Sequence, residues 1–302
     1  MPTGRYAPSP TGPLHVGNLR TALAAWLFAR SDGAPFLMRV EDLDASRVRP
    51  GVEEVQLADL AALGRDHDGP VVRQSERPGL YEEAIERLKR DGRLYSCFCT
   101  RAEIREAASA PHGPLPEGAY PGTCANLTVA QRARREHEGR PPALRLRAGA
   151  ASIAFTDRLR GERRGVVDDL VVRRNDGAPA YNLAVVVDDA AQGVGEVVRG
   201  DDLLDTTPRQ LLLADLLGLR RPAHAHVPLV LAPDGQRLAK RHGAVTLADR
   251  LAAGETPADV RAWCARTLGL PVEDAERPSI ESLLTRFDPD RLRREPSTWY
   301  EP

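Results

Sequence analysis

The first 93 residues alternate between short extended segments and amphipathic helical segments, and this order constrains the fold more than any other feature. A helix is indicated where Leu19, Leu23 and Leu27 recur every four residues, and Gly33 provides a plausible stop. The other segments are extended at 5–8, 35–40 and 71–75 and helical at 51–64 and 78–91. Parallel strands need crossover connections, so the order predicts an α/β fold whose parallel sheet carries helices on both faces.

The alternation breaks at residues 94–150 and then resumes. This stretch contains a cysteine cluster, a connection at 111–122 rich in proline and glycine, and a capping-box pattern from Thr128 to Gln131. Extended segments follow at 152–157, 170–174, 181–187 and 196–199, with a helix at 207–218. We therefore expect a main domain at 1–243, interrupted by an insertion at about 94–150, and a helical extension at 244–302.

Composition narrows the class of protein without identifying a partner. A hydrophobic fraction of 42% and a charged fraction of 28% are ordinary for a globular chain. The sequence contains neither an apolar run long enough to span a membrane nor an apolar secretory segment at its start. We expect a cytoplasmic monomer without a membrane partner. The net charge of −1 requires no nucleic-acid partner, so RNA contact would need a local basic patch.

Three of the four cysteines, Cys97, Cys99 and Cys124, lie close together in the sequence. In an intracellular chain this pattern favours a metal site over a disulfide framework. Zinc prefers four tetrahedral sulfur or nitrogen ligands, so the three thiols predict a structural zinc ion with His112 as a conventional fourth ligand. The alternative is a set of thiols without metal. Cys264 stands apart and is expected to be a small buried residue.

The first candidate site spans Pro8 to Asn18, where an extended segment turns into a helix. The start of a helix offers free N–H groups and a positive dipole end to phosphates. Gly17 would let a nucleotide approach the backbone, while His15 and Asn18 could donate hydrogen bonds to a phosphate or a ribose. A strand–turn–helix with a histidine that only caps the helix fits the same spacing.

The second candidate site is the basic loop 237–241, which follows a predicted hairpin turn at 233–235. Lys240 is one of only two lysines in a chain that otherwise uses arginine, the other being Lys89. A lysine carries a compact charge on a flexible stem, which suits a phosphate whose charge moves during a reaction. Solvated surface is the ordinary alternative for such a loop.

Taken together, the two candidate sites resemble the signatures of class I aminoacyl-tRNA synthetases. Residues 8–18 resemble the HIGH segment and residues 237–241 resemble the KMSKS loop, although the first lysine of that loop is Arg237 and both serines are absent. Further segments resemble the glutamate-specific branch, namely 5–12, 39–44, 181–189, 198–202 and 207–210. The resemblance implies a Rossmann-type catalytic domain with a zinc-binding insertion and a helical extension.

The residues after Lys240 are too few for the long anticodon-binding region of a glutamyl-tRNA synthetase. In size and cysteine pattern the chain resembles the short glutamyl-queuosine tRNA(Asp) synthetases instead. That resemblance implies activation of L-glutamate with ATP and Mg²⁺ in the absence of tRNA, followed by transfer to queuosine in the anticodon of tRNA(Asp). Two alternatives stay open: a shortened glutamyl-tRNA synthetase that charges tRNA(Glu), and a non-catalytic protein that binds tRNA or glutamate.

The same resemblance assigns roles to individual residues. His15, Asn18 and Lys240 would be catalytic, and the same three residues with Gly17 would bind ATP. Tyr120 would be the fourth zinc ligand beside Cys97, Cys99 and Cys124. The glutamate-binding residues would be Arg5, Ala7, Ser9, Glu41, Tyr181 and Arg199. Arg5 and Arg199 would hold carboxylates and Glu41 the ammonium group. The ordinary alternatives are an Arg5–Glu41 structural ion pair and a Tyr181 that belongs to the core.

Overall fold

The fold was analysed in a computed structural model, which describes residues 1–108, 119–238, 242–243 and 245–299. In chain order the strands are β1 (Gly4–Tyr6), β2 (Phe36–Val40), β3 (Val72–Arg73), β4 (Leu94–Cys97), β5 (Ala143–Leu146), β6 (Ser152–Asp157), β7 (Gly161–Val166), β8 (Val171–Arg173), β9 (Glu196–Gly200), β10 (Ala223–Val227), β11 (Val230–Leu231) and β12 (Ser297–Thr298). The helices are α1 (Val16–Ser31), α2 (Val52–Ala62), α3 (Pro78–Arg90), α4 (Arg101–Ala108), α5 (Val129–His137), α6 (Tyr181–Ala191), α7 (Thr207–Leu216), α8 (Leu247–Ala252), α9 (Pro257–Leu268) and α10 (Ile280–Thr285).

The main sheet has the order β3-β2-β1-β9-β10-β6-β7. Its pairs are parallel up to β6, and a parallel bridge between Thr3 and Val194 brings β1 beside β9. Only the last pair, β6 with β7, is antiparallel among the pairs of this sheet. Helix α1 packs against β1 and β9, while α3, α6 and α7 surround a second apolar cluster. The predicted α/β fold with a mainly parallel sheet is confirmed.

The apolar segment at 181–187 was predicted as a strand, and that prediction is wrong. These residues form the first two turns of α6, and Leu183, Ala184 and Val187 belong to the second apolar cluster. A short apolar run that is buried on most sides has no clear period, so it cannot distinguish a strand from a buried helix. The error matters for function, because the start of α6 places Tyr181.

The predicted hairpin around 233–235 is present. Leu231 and Arg237 form an antiparallel bridge, and the N–H groups of Ala232 and Leu238 donate to the carbonyls of Gln236 and Val230 on either side of it. Another prediction needs adjustment. Strand β8, which we read as part of the resumed alternation, instead pairs antiparallel with β5 in a separate sheet of order β4-β5-β8. The cysteine cluster lies at the end of β4 in this small sheet.

The C-terminal segment packs directly onto the main core. Helix α9 lies against α1, and Cys264 is fully buried between them, as its isolated position in the sequence predicted. The buried Arg20 of α1 donates to the carbonyl oxygens of Pro228 and Thr267, which ties the two parts together. In the part of the chain that is described, no helix combines the length and the apolar character needed to cross a bilayer.

Candidate active site

A cavity of about 680 Å³ opens at the carboxyl ends of β1, β2 and β9. Strand β1 lies between β2 and β9, so connections leave the sheet in opposite directions here, and such crevices are the usual ligand sites of α/β folds. The structure brings nearly all the predicted site residues to this cavity: Arg5, Ala7, Ser9, His15, Gly17, Asn18, Glu41, Tyr181 and Arg199. Their individual roles remain predictions. Lys240 lies outside the described residues, as do the flanking positions 239 and 241.

His15 and Asn18 form the cap of α1 at the edge of the cavity. The His15 Nδ1 atom accepts from the Asn18 backbone N–H group at 3.2 Å, and Asn18 Oδ1 accepts from the His15 N–H group at 3.3 Å. His15 therefore caps α1, as the alternative interpretation of the sequence predicted. This cap leaves His15 and Asn18 at the cavity, so it does not exclude contact with a ligand. Because Nδ1 is an acceptor, the neutral ring carries its proton on Nε2 and can donate from that atom.

Gly17 serves the histidine as well as the cavity. A Cβ atom at this position would lie 3.0 Å from His15 Nδ1 and 3.1 Å from its Cε1 atom. A side chain here would therefore push the imidazole out of its capping position. The sequence predicted that Gly17 lets a nucleotide approach the backbone. The structure adds a second reason for a glycine here, which is the space that the His15 imidazole occupies.

Two of the predicted glutamate ligands are held by one buried carboxylate. Asp189 accepts from Arg5 Nε at 3.3 Å and from Arg39 Nη1 at 2.7 Å, and Arg39 in turn donates to Glu41 at 3.2 Å. Burial would raise the pKa of Asp189, but Arg39 and Arg5 hold that pKa below its usual value. Arg5 and Glu41 each have a different ionic partner, so the proposed ion pair between them is not what positions them.

Arg199 is positioned without a carboxylate. This residue is 5% exposed, and its guanidinium donates to His226 Nε2 at 3.0 Å, Gln210 Oε1 at 2.8 Å, Thr207 Oγ1 at 2.9 Å and the Leu203 carbonyl at 3.3 Å. No ion pair of Arg199 is found within the described ranges. Burial lowers its pKa, because the charged form is costly there. The cavity thus has a buried positive charge whose partners are all neutral, and an anionic ligand group would complement it.

The orientation of Arg199 depends on a buried histidine–aspartate pair. His226 Nδ1 lies 2.6 Å from Asp157 Oδ2, which fixes the proton on Nδ1 and leaves Nε2 as the acceptor for Arg199. Burial lowers the pKa of His226, although Asp157 acts in the opposite direction, so the ring is neutral. Neither residue was predicted from the sequence. The signal was present as two histidines at alternating positions of the buried strand β10, His224 and His226.

Tyr181 does not belong to the core. It begins α6, is 41% exposed and lines the same cavity as Arg199 and Arg5. Burial of its hydroxyl group and the charge of Glu41 both raise the pKa of Tyr181, so the phenol is neutral. This leaves an uncharged aromatic side chain on the cavity wall.

The cysteine cluster forms a compact set of donors at the end of β4. The sulfur atoms of Cys97, Cys99 and Cys124 all lie within 4.8 Å of one another. Tyr120 Oη lies 3.4 Å from Cys97 Sγ and 3.6 Å from Cys99 Sγ, and accepts the Cys124 N–H group at 2.9 Å. Ligands of a tetrahedral zinc ion with bonds of about 2.3 Å lie about 3.8 Å apart, so the four atoms fit zinc. His112 lies outside the described residues.

Comparisons with known proteins agree with this geometry. The family model described as tRNA synthetases class I (E and Q), catalytic domain, matches residues 3–293. A glutamyl-Q tRNA(Asp) synthetase of Nocardia farcinica is 64% identical over 293 residues, covering 97% of this chain and 91% of that protein. One from Symbiobacterium thermophilum is 52% identical over 98% of this chain and 95% of that protein.

Among solved structures, a glutamate tRNA ligase from Elizabethkingia meningosepticum in complex with its amino acid has a TM-score of 0.83 and 28% identity. The match covers 99% of this chain and 67% of that chain. The matching segments include the residues of the cavity, since the family match begins before Arg5 and ends beyond Arg199. This chain belongs to the class I aminoacyl-tRNA synthetases, in the family of glutamyl-Q tRNA(Asp) synthetases.

Proposed function

We propose that this protein activates L-glutamate with ATP in the absence of tRNA and transfers the glutamyl group to the queuosine base of tRNA(Asp). Arg199 would select an amino acid whose side chain is anionic. It is a buried cation on the cavity wall whose partners in the described structure are all neutral. The side-chain carboxylate of glutamate would neutralise this charge and could accept a hydrogen bond from the Nη1 atom of Arg199, which donates only to Gln210 in the described structure. Arg5, already paired with Asp189, would add a second donor, and Glu41 would accept the ammonium group.

The activation step needs alignment more than a nucleophilic side chain. An oxygen of the glutamate α-carboxylate attacks the α-phosphorus of ATP, and the bond from that phosphorus to the pyrophosphate oxygen breaks. No proton has to move, so the protein acts by orienting the reactants and by stabilising negative charge. His15 Nε2 and the Asn18 amide would donate to the phosphates. Lys240 would also donate to the phosphates, because it lies in the segment that resembles the KMSKS loop.

In the transfer step a hydroxyl oxygen of the queuosine cyclopentenediol attacks the carbonyl carbon of glutamyl-adenylate. The new ester bond forms as the bond from this carbon to the phosphate oxygen of AMP breaks. The hydroxyl proton leaves to the AMP phosphate or to water.

The proposed enzyme would use two kinds of metal ion. Mg²⁺ would neutralise charge on ATP as it usually does for nucleotides. Zinc would be structural, held by Cys97, Cys99, Cys124 and the Tyr120 oxygen. Burial raises the pKa of the Cys99 thiol to about 12, so the thiolate that binds zinc is stable only beside a cation.

The test of activation is ATP–pyrophosphate exchange with glutamate and no RNA. We expect exchange with the wild-type protein, and a rise of about 10- to 100-fold in the KM for glutamate in Arg199→Lys, because losing hydrogen bonds to a charged group costs about 1.5–3 kcal/mol. Arg163→Lys on the exposed face of β7 is the matched control and should leave this KM unchanged. A wild-type protein without exchange would refute the proposal.

The acceptor is tested by following labelled glutamate onto defined RNAs. We expect label on tRNA(Asp) that contains queuosine, and none on the same tRNA without queuosine or on tRNA(Glu). Label on tRNA(Glu) would favour a shortened glutamyl-tRNA synthetase instead. If the protein is an enzyme, Lys240→Ala should abolish exchange. If the protein only binds RNA, the same substitution should change its affinity for RNA little.

A further inference from the structure

Arg39 is a buried arginine that lies behind the cavity and does not line it. It belongs to β2, and its side chain is 0% exposed. Burying a guanidinium group is costly unless its charge is paired and its N–H groups are hydrogen-bonded. The partners of Arg39 therefore show what this charge holds in place.

These partners lie on two different elements. The Nη1 atom of Arg39 donates to Asp189 Oδ1 at 2.7 Å in α6, and to Gln192 Oε1 at 2.9 Å directly after this helix. Its Nη2 atom donates to Glu41 Oε1 at 3.2 Å, directly after β2. Arg39 therefore connects the end of β2 to α6 through the carboxylate that would accept the ammonium group of glutamate.

Glu41 has one oxygen atom held by the protein and one left for a ligand. Its side chain is 8% exposed and lines the cavity. Oε1 accepts from Arg39, whereas Oε2 has no hydrogen-bond partner among the residues that the structure describes. An ammonium group has three donors, one of which Oε2 can accept. Rotation of the carboxylate would remove that acceptor, and the bond to Arg39 opposes this rotation.

The neighbouring carboxylate of Asp188 does not compete for Arg39. Its Oδ2 atom lies 4.0 Å from Arg39 Nε, which is too far for a hydrogen bond. Asp188 instead accepts from three other side chains at 2.7–2.8 Å, namely Gln74, Arg77 and Tyr81. Both Nη atoms of Arg39 thus serve Glu41 and the end of α6.

We propose that Arg39 is a positioning residue for recognition of the amino group, because it fixes Glu41 from behind and leaves Glu41 Oε2 to the ammonium group. This inference rests on the proposed function and adds the residue on which selection of an α-amino acid depends. An arginine suits the role because its two Nη atoms reach two elements at once. A lysine has a single nitrogen atom and could hold only one of them firmly.

The test compares L-glutamate with glutarate, which has both carboxylates and no amino group. The KM for glutamate and the competitive inhibition constant of glutarate are measured in pyrophosphate exchange without RNA. In Arg39→Gln we expect the KM for glutamate to rise about 10-fold, because a hydrogen bond between two charged groups loses its alignment. The inhibition constant of glutarate should rise less than about threefold, since Arg199 keeps all its partners.

The pH profile gives a second readout, which a purely structural role of Arg39 would not change. Burial raises the pKa of Glu41, whereas Arg39 and Arg5 lower it. The charged and titratable groups that act on Glu41 come from β1, β2, α6 and β9, namely Arg5, Arg39, Asp189, Tyr181 and Arg199. Loss of Arg39 raises the pKa of Glu41, so the acidic limb of kcat/KM for glutamate should move to higher pH in Arg39→Gln.

Three further variants complete the experiment. Arg39→Lys keeps the buried charge, so it secures the test against loss of folding; the KM for glutamate should rise about threefold and the acidic limb should move less. Arg20→Gln is the matched control, since Arg20 is equally buried but donates to carbonyl oxygens away from the cavity. This control should leave the ratio of the two constants unchanged. In Glu41→Gln the added substitution Arg39→Gln should change that ratio less than about twofold, because both residues act on one contact.

The outcomes separate this inference from the proposed function. If both Arg39 variants raise the two constants equally and leave the acidic limb in place, Arg39 only links β2 to α6, and the inference is wrong while the proposed function stands. If the wild type shows no exchange, the proposed function itself fails.

Discussion

Two buried arginines of the cavity, Arg5 and Arg199, have opposite environments. Arg5 is balanced by Asp189, whereas Arg199 is held by the neutral groups of His226, Gln210 and Thr207. The charge of Arg199 is therefore the one that an incoming carboxylate would satisfy. The orientation of the Arg199 side chain depends on Asp157, which holds His226 and does not line the cavity itself.

Asp157→Asn should disturb glutamate binding through the tautomer of His226. Asp157 Oδ1 accepts the N–H groups of Leu159 and Arg160 at 3.0 and 2.8 Å, so an asparagine would keep its oxygen there and turn its NH₂ group toward His226 Nδ1. The ring would then carry its proton on Nε2, facing the Arg199 Nε–H group, donor against donor.

We expect the KM for glutamate in pyrophosphate exchange to rise about 10-fold in this variant, which corresponds to about 1.4 kcal/mol. The KM for ATP should change by less than twofold, because Arg199 is the cavity residue whose side chain hydrogen-bonds to His226. Equal increases in both KM values would indicate a general structural effect and would contradict the positioning role.

At the scale of elements, the insertion is organised by a small antiparallel sheet and a cluster of donors. Strands β4, β5 and β8 form the sheet, and Arg145 of β5 places its guanidinium carbon 3.6 Å from the centre of the Tyr120 ring. The cluster is thus built into the sheet at one side and into the 119–124 segment at the other. A metal ion here would link the end of β4 to the 119–124 segment.

Metal content tests this arrangement with matched substitutions. We expect about one zinc ion per chain by elemental analysis of the purified protein, and loss of most of it in Cys124→Ala, because a tetrahedral site would lose one of its four ligands. Cys264→Ala is the control, since this cysteine is buried in another part of the core. Full zinc content in Cys124→Ala, or none in the wild type, would contradict the proposed site.

At the scale of the whole molecule, residues 245–299, which the sequence predicted as a helical extension, share one core with the main sheet and α1. Helices α1 and α9 pack together, and the cap of α1 is formed by His15. The strand bridge between His15 and Thr246 extends the contact to the start of α8. The extension therefore supports the His15 end of the cavity from outside it.

Leu268→Ala should lower the free energy of unfolding by about 2–5 kcal/mol, because a fully buried leucine is removed from this shared core. Leu251→Ala, in α8 of the same extension but 42% exposed, should change it by less than about 0.5 kcal/mol. Urea denaturation followed by circular dichroism measures both values. Equal effects of the two substitutions would mean that the extension is not part of the main core.

The sequence by itself indicated the α/β class, the start of α1 after residues 8–18 and the cysteine cluster. These depend on residue types at neighbouring positions, which a local pattern can reveal. Most of the other cavity residues were predicted only from the resemblance to a known family. The tertiary structure alone decided the partners of those residues. Asp189 meets Arg5 across 184 positions and Arg39 across 150, and Asp157 meets His226 across 69. Only the tertiary structure showed that the segment beginning at Tyr181 is a helix. Burial on most sides removes the hydrophobic period that distinguishes a helix from a strand in a sequence.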